Sequence, residues 1–354
     1  MEVHDIIHGT IRLSPVCAAF ARHRWFQRLQ RIQQLGSGSF IFPQATHTRW
    51  EHSLGTCHLA QQLVTGLQRR GAPIEPWEAE AVALAALLHD IGHGPFSHVF
   101  DRFVTPLPLE HEQRSQALMR YMYEELAAVD SAVAAFTPEQ LAWAVGLIDP
   151  PAAPATKPFL HEIVSNSICG MDVDKMDYLL RDHWMLTQTA WLHREVTVML
   201  RRCEVDAAGH LAFNIRDSPT LIALSERRLE MHRAFYGHPQ VDAIGVMAGE
   251  IMGSYMATRP CSSRAAWIRL IAEMDDSIIQ QVAADPTLPP ELQTLAQRFC
   301  SRDFYRHVCD TKEPPTVPPA PCTLVIPWGA ATNAQAPHRV LPKVPFHNGS
   351  LAPQ

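Results

Sequence analysis

The sequence predicts an all-α protein, because three features recur along its 354 residues. Apolar residues repeat at helical spacing over most of the chain, signals for strands are few, and Gly and Pro punctuate the helical segments. A composition that is 47% hydrophobic allows a sizeable buried core. From about residue 313 the chain becomes dense in Pro, Ala and Asn. We therefore expect a helical bundle over residues 1–245, a helical extension over 246–312 and a Pro-rich, weakly ordered tail over 313–354.

The spacing of apolar residues and helix breakers gives approximate bounds for these helices. In the N-terminal half we expect helices over residues 15–35, 49–70, 75–90 and 111–128. A short extended piece is expected over 40–42, and loops over 101–109 and 149–158. After a helical region that reaches residue 183, helical pieces are expected from 219 to 237 and onward to about 308.

Charge and cysteine usage restrict the class of protein. A net charge of −6 gives no basic surface for nucleic acid, so no sequence-specific nucleic-acid partner is expected and a small ligand is favoured. The eight cysteines lack any CxxC pair, which is typical of reduced thiols rather than of a disulfide framework. The first residues lack a signal-peptide pattern, and no apolar run reaches the ~20 residues that span a bilayer. We expect a soluble, cytoplasmic protein without a membrane partner.

Four side chains from three distant places in the sequence are of the type that binds metal ions. They are His52, the adjacent pair His89 and Asp90, and Asp174. Two imidazoles and two carboxylates suit a divalent transition metal such as Fe, Mn, Zn or Ni better than a metal that prefers thiolates. A lone His-Asp pair is more often a helix cap or a surface pair, so spacing alone does not establish the site.

Long ordered motifs add a resemblance to a known family. The segments are Asp5-Ile-Ile-His-Gly9, Arg49-Trp-Glu-His-Ser-Leu-Gly55, His89-Asp-Ile-Gly-His-Gly-Pro-Phe-Ser-His98 and Asp172-Val-Asp-Lys-Met-Asp-Tyr178. In these segments the chain resembles the HD-domain superfamily, and within it the deoxynucleoside triphosphate (dNTP) triphosphohydrolases, which include vertebrate enzymes with a SAM domain and bacterial relatives. The resemblance implies an HD-domain helical bundle whose metal ligands are His52, His89, Asp90 and Asp174. It also implies hydrolysis of a dNTP to deoxynucleoside and triphosphate, with room for an additional Mg²⁺ on the triphosphate.

The resemblance further implies roles for side chains around the metal. His93, His98, Asp101 and His111 resemble the family's catalytic group, and we expect His111 to be the acid, with His98 as the next candidate. An alternative is that His93 or His98 binds a second metal, as in di-iron HD proteins. Contacts to the sugar or the phosphates are expected from Gln34, Leu35, Arg49, Lys175, Tyr178, Asp182, Arg228, His232 and Tyr236.

Some positions depart from the family pattern, and other functions compete with the leading one. Arg22, Gln30 and Pro239 stand where the vertebrate enzymes have residues associated with guanine-nucleotide activation, so we expect activity without GTP.

The resemblance implies a homo-oligomer. Two alternatives stay open: a phosphohydrolase of another nucleotide, such as a mononucleotidase or a ppGpp hydrolase, and a nucleotide-binding regulatory module with an idle metal site.

Overall fold

Almost all regular structure in this protein is helical. The computed structural model describes residues 1–104, 109–150, 156–307 and 346–347, and these residues confirm the predicted all-α class. The first eight helices are α1 (Pro15–Arg22), α2 (Arg24–Arg28), α3 (Arg49–Arg69), α4 (Pro76–Leu88), α5 (His98–Phe103), α6 (His111–Ala127), α7 (Ser131–Ala134) and α8 (Pro138–Gly146). The remaining helices are α9 (Pro158–Val164), α10 (Val173–Thr187), α11 (His193–Arg202), α12 (Ser218–Met231), α13 (Pro239–Ala257), α14 (Arg264–Glu273), α15 (Ile278–Ala284) and α16 (Pro290–Cys300).

The strands form two small sheets. An antiparallel hairpin joins β1 (Glu2–Asp5) to β2 (Gly9–Arg12). The Asp5 carboxylate accepts hydrogen bonds from the N–H groups of Ile7 and His8 at 2.9 and 2.8 Å, which fixes the turn between these strands. The second sheet pairs β3 (Glu204–Val205) antiparallel with β4 (Leu211–Asn214), and β4 parallel with β5 (Phe346–His347).

The predicted continuous helix over residues 15–35 is wrong. The chain turns at His23, whose backbone is extended, and the ring Nδ1 of His23 caps α2 by accepting the N–H of Trp25 at 3.3 Å. A 3-10 turn at Leu29–Arg31 follows, and a second one at Gly36–Phe40 ends at Phe40, the first residue of the piece that was expected to be extended. The apolar periodicity predicted one helix because α1 and α2 both bury apolar side chains on either side of the break at His23, as the fully buried Phe20 and Phe26 show.

Two other predicted bounds also differ from the structure. The loop expected over 101–109 begins later, because α5 continues to Phe103, and residues 105–108 lie outside the described part of the chain. The helix expected over 219–237 is α12 followed by one π-helical turn at His232–Tyr236. A π-helical turn is often found at functional sites.

Helix α3 lies at the centre of the bundle and packs against α4, α10 and α11. Its start is fixed by a capping box in which Glu51 Oε2 accepts the Thr48 N–H at 2.7 Å. Helix α4 is apolar on almost every side, and most of it is buried, as expected of a helix that lies inside a bundle.

A second apolar cluster lies beside this bundle and is built from α5, α13, α15 and α16. The predicted boundary at residue 245 falls inside α13, so both sides of that boundary contribute to this cluster. The division into domains therefore stays a prediction. The predicted tail lies outside the described residues except for β5.

Two expectations about the chain as a whole can be compared with the described residues. None of the helices within 1–104, 109–150 and 156–307 is both long and apolar enough to cross a membrane. The six cysteines in the described part of the chain are free: Cys17, Cys57, Cys169, Cys203, Cys261 and Cys300.

Candidate functional site

The four predicted metal ligands meet in space, although they come from α3, the end of α4 and the start of α10. His52 Nε2 lies 3.0 Å from Asp174 Oδ1 and 3.4 Å from Asp90 Oδ2. His89 Nε2 lies 3.4 Å from Asp174 Oδ1 and 3.5 Å from Asp90 Oδ2. Two ring nitrogens and two carboxylate oxygens therefore face one another at distances of 3.0 to 3.5 Å. The Asp174 side chain is 28% exposed, so the site opens to solvent on that side.

The donor atoms fit a divalent metal ion. The buried ring nitrogens His52 Nε2 and His89 Nε2 form no hydrogen bond with any of the described residues, so each can offer a lone pair to a cation that displaces its proton. Ligand atoms of His52, His89 and Asp174 all lie within 4.8 Å of one another. Imidazole with carboxylate suits a first-row transition metal, which agrees with the expectation from sequence without selecting the element.

The electrostatics of these side chains also favour a cation. Burial alone would lower the pKa of His52, but the facing carboxylates of Asp174, Asp177 and Asp90 outweigh it and hold that pKa well above its usual value. Burial would raise the pKa of Asp90, yet Arg49 and His89 hold it well below its ordinary range. The carboxylates are thus anionic at neutral pH, and they stabilise positive charge between the rings.

A carboxylate behind the site fixes the orientation of His52. Asp177, which is completely buried, accepts from His52 Nδ1 at 2.8 Å and from His8 Nε2 at 2.6 Å. It also accepts two hydrogen bonds of 3.0 Å from Arg181, whose Nη1 donates to Asp5 at 2.7 Å. A carboxylate on the far nitrogen of a histidine ligand sets the tautomer that presents the other nitrogen to the metal. The β1–β2 hairpin therefore supports the candidate metal ligands from behind.

A glycine makes room for this carboxylate. A Cβ atom at position 55 would lie 1.9 Å from Asp177 Oδ1, a distance at which two atoms cannot coexist. The helix-weakening Gly55 in the middle of α3 is thus required by the close approach of α10. This close approach brings Asp174 and His52 within reach of one ion.

Arg49 holds the second carboxylate ligand. It is almost completely buried, and its Nη1 donates to Asp90 Oδ2 while its Nε donates to Ser97 Oγ at 2.8 Å. The contact between Arg49 and a phosphate oxygen that the family resemblance implies stays a prediction. In the structure its charge already stabilises the carboxylate of Asp90.

The predicted catalytic side chains form a compact cluster beside the metal ligands. The rings of His93 and His111 stack at 4.0 Å, and the rings of His93 and His98 meet edge to face at 4.8 Å. Asp101 Oδ2 lies 3.6 Å from His93 Nδ1 and 3.5 Å from His111 Nδ1. These four side chains could also hold a metal ion, so the alternative of a second metal remains compatible with the geometry.

Glycines and one arginine bring this cluster together. A Cβ atom at Gly92 would lie 2.2 Å from the carbonyl oxygen of His111, so only glycine lets the start of α6 come this close. Arg114 donates to the Gly92 carbonyl at 2.7 Å and forms an ion pair with Asp101. Arg114 was not predicted from sequence, because an arginine three residues after His111 resembles an ordinary exposed helix position.

Burial keeps His93 and His111 of the cluster neutral, whereas the His98 side chain is exposed. Burial, with the neighbouring His98 next, holds the pKa of His111 well below its usual value, and burial acts in the same direction on His93. Burial raises the pKa of Asp101 despite its ion pair with Arg114. His93 and His111 are therefore neutral imidazoles that respond to charge brought in by a ligand.

A polar wall lies on the far side of His52. Asp182 accepts from Tyr236 OH at 2.5 Å and from His47 Nε2 at 2.7 Å. The Tyr178 ring lies 6.5 Å from both the His52 ring and the Tyr236 ring. The predicted sugar-contacting residues Tyr178, Asp182 and Tyr236 are thus close together. His47 was missed, because nothing in the sequence around it distinguishes it from a loop histidine.

The other predicted substrate contacts surround this wall. Lys175 forms an ion pair with Asp172 at 2.7 Å, and the nearby negative charge of Asp172 and Asp174 outweighs burial and raises the pKa of Lys175. The His232 ring lies 5.0 Å from the Tyr236 ring on the π-helical turn. The buried Arg228 Nε and Gln34 Oε1 have no hydrogen-bond partner within the described residues, whereas Leu35 packs against the bundle core. Their contacts to a nucleotide stay predictions.

Comparison with known proteins gives a consistent picture. The family model described as "HD domain" matches residues 49–182. The chain is 33% identical over 347 residues to the deoxynucleoside triphosphate triphosphohydrolase SAMHD1 of Gallus gallus, which covers 87% of this chain and 56% of that protein. It is 30% identical over 346 residues to the protein of the same name from Bos taurus, covering 88% and 59% respectively. The chain thus spans less than two thirds of the length of these relatives.

Proposed function

Because the chain belongs to the HD domain family, we propose that it is a metal-dependent dNTP triphosphohydrolase. In the proposed reaction a water molecule attacks the α-phosphorus, the bond from phosphorus to the 5′ oxygen breaks, and deoxynucleoside and intact triphosphate leave. The observation that supports this proposal is the meeting of His52, His89, Asp90 and Asp174 beside the three-histidine cluster. The names of the SAMHD1 relatives give the substrate class.

The proposal assigns the metal to these four ligands. A divalent ion there would supply a Lewis acid that lowers the pKa of a bound water and neutralises phosphate charge. The protein's own part is to keep Asp90 and Asp174 ionised and to hold His52 in one tautomer through Asp177.

The proposed acid is His111, with His98 as the next candidate. The leaving 5′ oxygen needs a proton, and a neutral imidazole must first gain one. An incoming triphosphate brings several negative charges close to the cluster, which raises the pKa of His111 that burial has lowered. Asp101, 3.5 Å from His111 Nδ1, would stabilise the imidazolium and orient its other nitrogen toward the substrate.

Substrate positioning is assigned to the cations and to the polar wall. Lys175, Arg228 and Arg49 are the proposed phosphate contacts, since a chain of three phosphates needs several positive groups. Asp182 and Tyr178 would bind the sugar 3′-hydroxyl, and His232 and Gln34 would lie along the nucleotide. Leu35 and Tyr236 would leave no room for a 2′-hydroxyl, which would exclude ribonucleotides by steric clash.

Product analysis tests this proposal directly. The purified chain would be supplied with Fe, Mn, Mg or Zn and a panel of dNTPs and NTPs, and the released anion identified. Tripolyphosphate with deoxynucleoside is the expected product pair, and D174A should abolish it while D206A, a turn residue far from the ligands in sequence, should not. Release of orthophosphate or pyrophosphate would show a phosphohydrolase of another kind, and no product with any metal would contradict the proposal.

A further inference from the structure

A second cationic site lies on the flank of α3, outside the metal centre and the histidine cluster. A cleft of about 530 Å³ opens between β2, the C-terminal half of α3 and the end of α11. The residues around it are Thr10, Arg12, His58, Gln61, Gln62, Thr65, Gly66, Arg69, Arg70 and Arg201. Four of these are arginines and none is acidic, in a chain whose net charge is −6. We name this surface the arginine cleft.

Two of the four arginines have no partner for their charge within the part of the chain that the structure describes. Arg12 pairs with Glu2 at 3.0 Å, and Arg70 pairs with Glu204 at 2.5 Å. Arg69 and Arg201 are exposed and form no ion pair or side-chain hydrogen bond with the residues that the structure describes. Arginines in the last turn of a helix often bind the terminal carbonyls, and Arg70 does so by donating to the Arg201 carbonyl at 3.2 Å. Arg69 and Arg201 therefore remain available for an anion.

The packing brings these two arginines to the same cleft. Position 66 on α3 faces the end of α11, where a Cβ atom would lie 3.0 Å from the Leu200 carbonyl oxygen. Gly66 thus lets α11 approach α3 closely, and Arg201 comes to lie beside the end of α3. Guanidinium groups held in a concave surface present several N–H donors in the fork geometry that matches phosphate oxygens.

Neutral side chains form the inner wall of the cleft. His58 Nε2 lies 2.6 Å from Gln62 Nε2, and the buried Gln62 Oε1 has no hydrogen-bond partner within the described residues. Burial lowers the pKa of His58 to about 4, so its ring is a neutral hydrogen-bonding group at physiological pH. An unpaired buried acceptor is costly unless a ligand donor meets it. A hydroxyl or amino group next to the phosphates would satisfy Gln62.

We propose that the arginine cleft binds a phosphate-bearing anion of the oligophosphate class, separate from the substrate of the metal centre. Two sources of this chemistry are a free oligophosphate and the triphosphate of a nucleotide. Gln62 distinguishes them, because a nucleotide carries hydroxyl and amino donors on its sugar and base, and a free oligophosphate has neither sugar nor base. The proposal concerns binding, and it stands or falls independently of the proposed hydrolysis.

Titration calorimetry on the full chain tests the proposal, with inorganic tripolyphosphate as the probe. The double variant R69Q/R201Q should bind the probe at the cleft roughly tenfold more weakly, since each lost guanidinium removes a charge-assisted hydrogen bond. R120Q, which removes an exposed arginine from α6, is the matched control and should bind like wild type. The double variant K175Q/R228Q removes two proposed phosphate contacts near the metal centre. It should leave the affinity of the arginine cleft for tripolyphosphate unchanged, which distinguishes binding at the two sites.

A second variant does not rely on removing arginines. Thr65 is exposed on the edge of the cleft, so T65E adds a negative charge there and should weaken binding, while T65Q should not. Guanosine triphosphate in a parallel titration identifies the source: affinity above that of tripolyphosphate, lost in Q62L, indicates a nucleotide, and equal affinity indicates a free oligophosphate. Equal isotherms for wild type, R69Q/R201Q and T65E would overturn the proposal, as would loss of all binding in K175Q/R228Q.

Discussion

Replacing His8 by alanine should weaken metal binding, although His8 is not a metal ligand. His8 Nε2 donates to Asp177 Oδ1 at 2.6 Å, and the two side chains are only 6% and 0% exposed. Asp177 in turn holds His52, whose other nitrogen faces the metal position. Without His8, one oxygen of a buried carboxylate loses its imidazole donor, and the orientation of His52 is less firmly fixed.

The size of the effect follows from this geometry. A buried hydrogen bond to a charged group contributes about 1.5–3 kcal/mol, so the free energy of unfolding should fall by roughly that amount. Loss of an outer partner of a metal ligand typically costs about 10–100-fold in metal affinity. Because Arg181 still donates two hydrogen bonds to Asp177, we expect a value near the lower end, about tenfold.

The assay is a competition titration of the metal between the protein and a chelator of known affinity, combined with urea unfolding. H4A is the matched control, because His4 lies on the same hairpin and its side chain forms a hydrogen bond with Thr10 at 3.3 Å rather than with Asp177. H8A should release the metal at a lower chelator concentration than H4A or wild type. If H8A and H4A retain the metal equally well, the hairpin does not support the metal centre and the reasoning is refuted.

Three further predictions concern the room for a side chain at two glycines, the pH dependence of stability and the dependence of hydrolysis on GTP. G55A should destabilise the fold by several kcal/mol because its Cβ would lie 1.9 Å from Asp177 Oδ1, whereas G253A, with open space around it in α13, should stabilise it by about 0.5–1 kcal/mol in thermal unfolding. Burial raises the pKa of Asp276 to about 7, so its contribution to stability is present at pH 4 and is lost as the pH rises to 7. The unfolding free energy of wild type relative to D276N should therefore fall by up to roughly 4 kcal/mol between pH 4 and 7, and parallel curves would contradict this. Purified protein should hydrolyse single dNTPs without GTP, and strict dependence on GTP in the same assay would show that prediction to be wrong.

The candidate metal ligands could be named from sequence only through the family resemblance, because the residue types and their spacing do not establish a metal site by themselves. A histidine and an aspartate at the end of an apolar helix, as at His89 and Asp90, need a polar partner wherever they are buried. In the structure His52 lies beside Asp90 and Asp174 lies beside His89, and their role as metal ligands stays a prediction. The outer partners His8 and Asp177 were not predicted, because their role depends on a contact across 169 residues that no local pattern reveals. The motif Asp5-Ile-Ile-His8 contributed only to the resemblance to the HD-domain superfamily, and it gave no role for His8.

The fold was predictable in class but less so in detail. Helix α3 was found from apolar periodicity and helix breakers, and its observed end at Arg69 agrees with the expected end at residue 70. The turn at His23 was missed, because both flanking helices bury the same kind of apolar side chain and no Gly or Pro marks the break. The β1–β2 hairpin was missed because strands of four residues give too short an alternation to read.

The hairpin at the start of the chain has a consequence for the order of assembly. Asp5 meets Arg181 across 176 residues of sequence, so the hairpin leaves the ribosome long before its partner in α10 has been synthesised. The contacts behind His52 can form only after most of the bundle exists, so on the proposed function tight metal capture would be a late event in maturation. Nascent chains that stop before α10 therefore lack both Asp174 and Asp177, and they cannot sequester metal ions through this site.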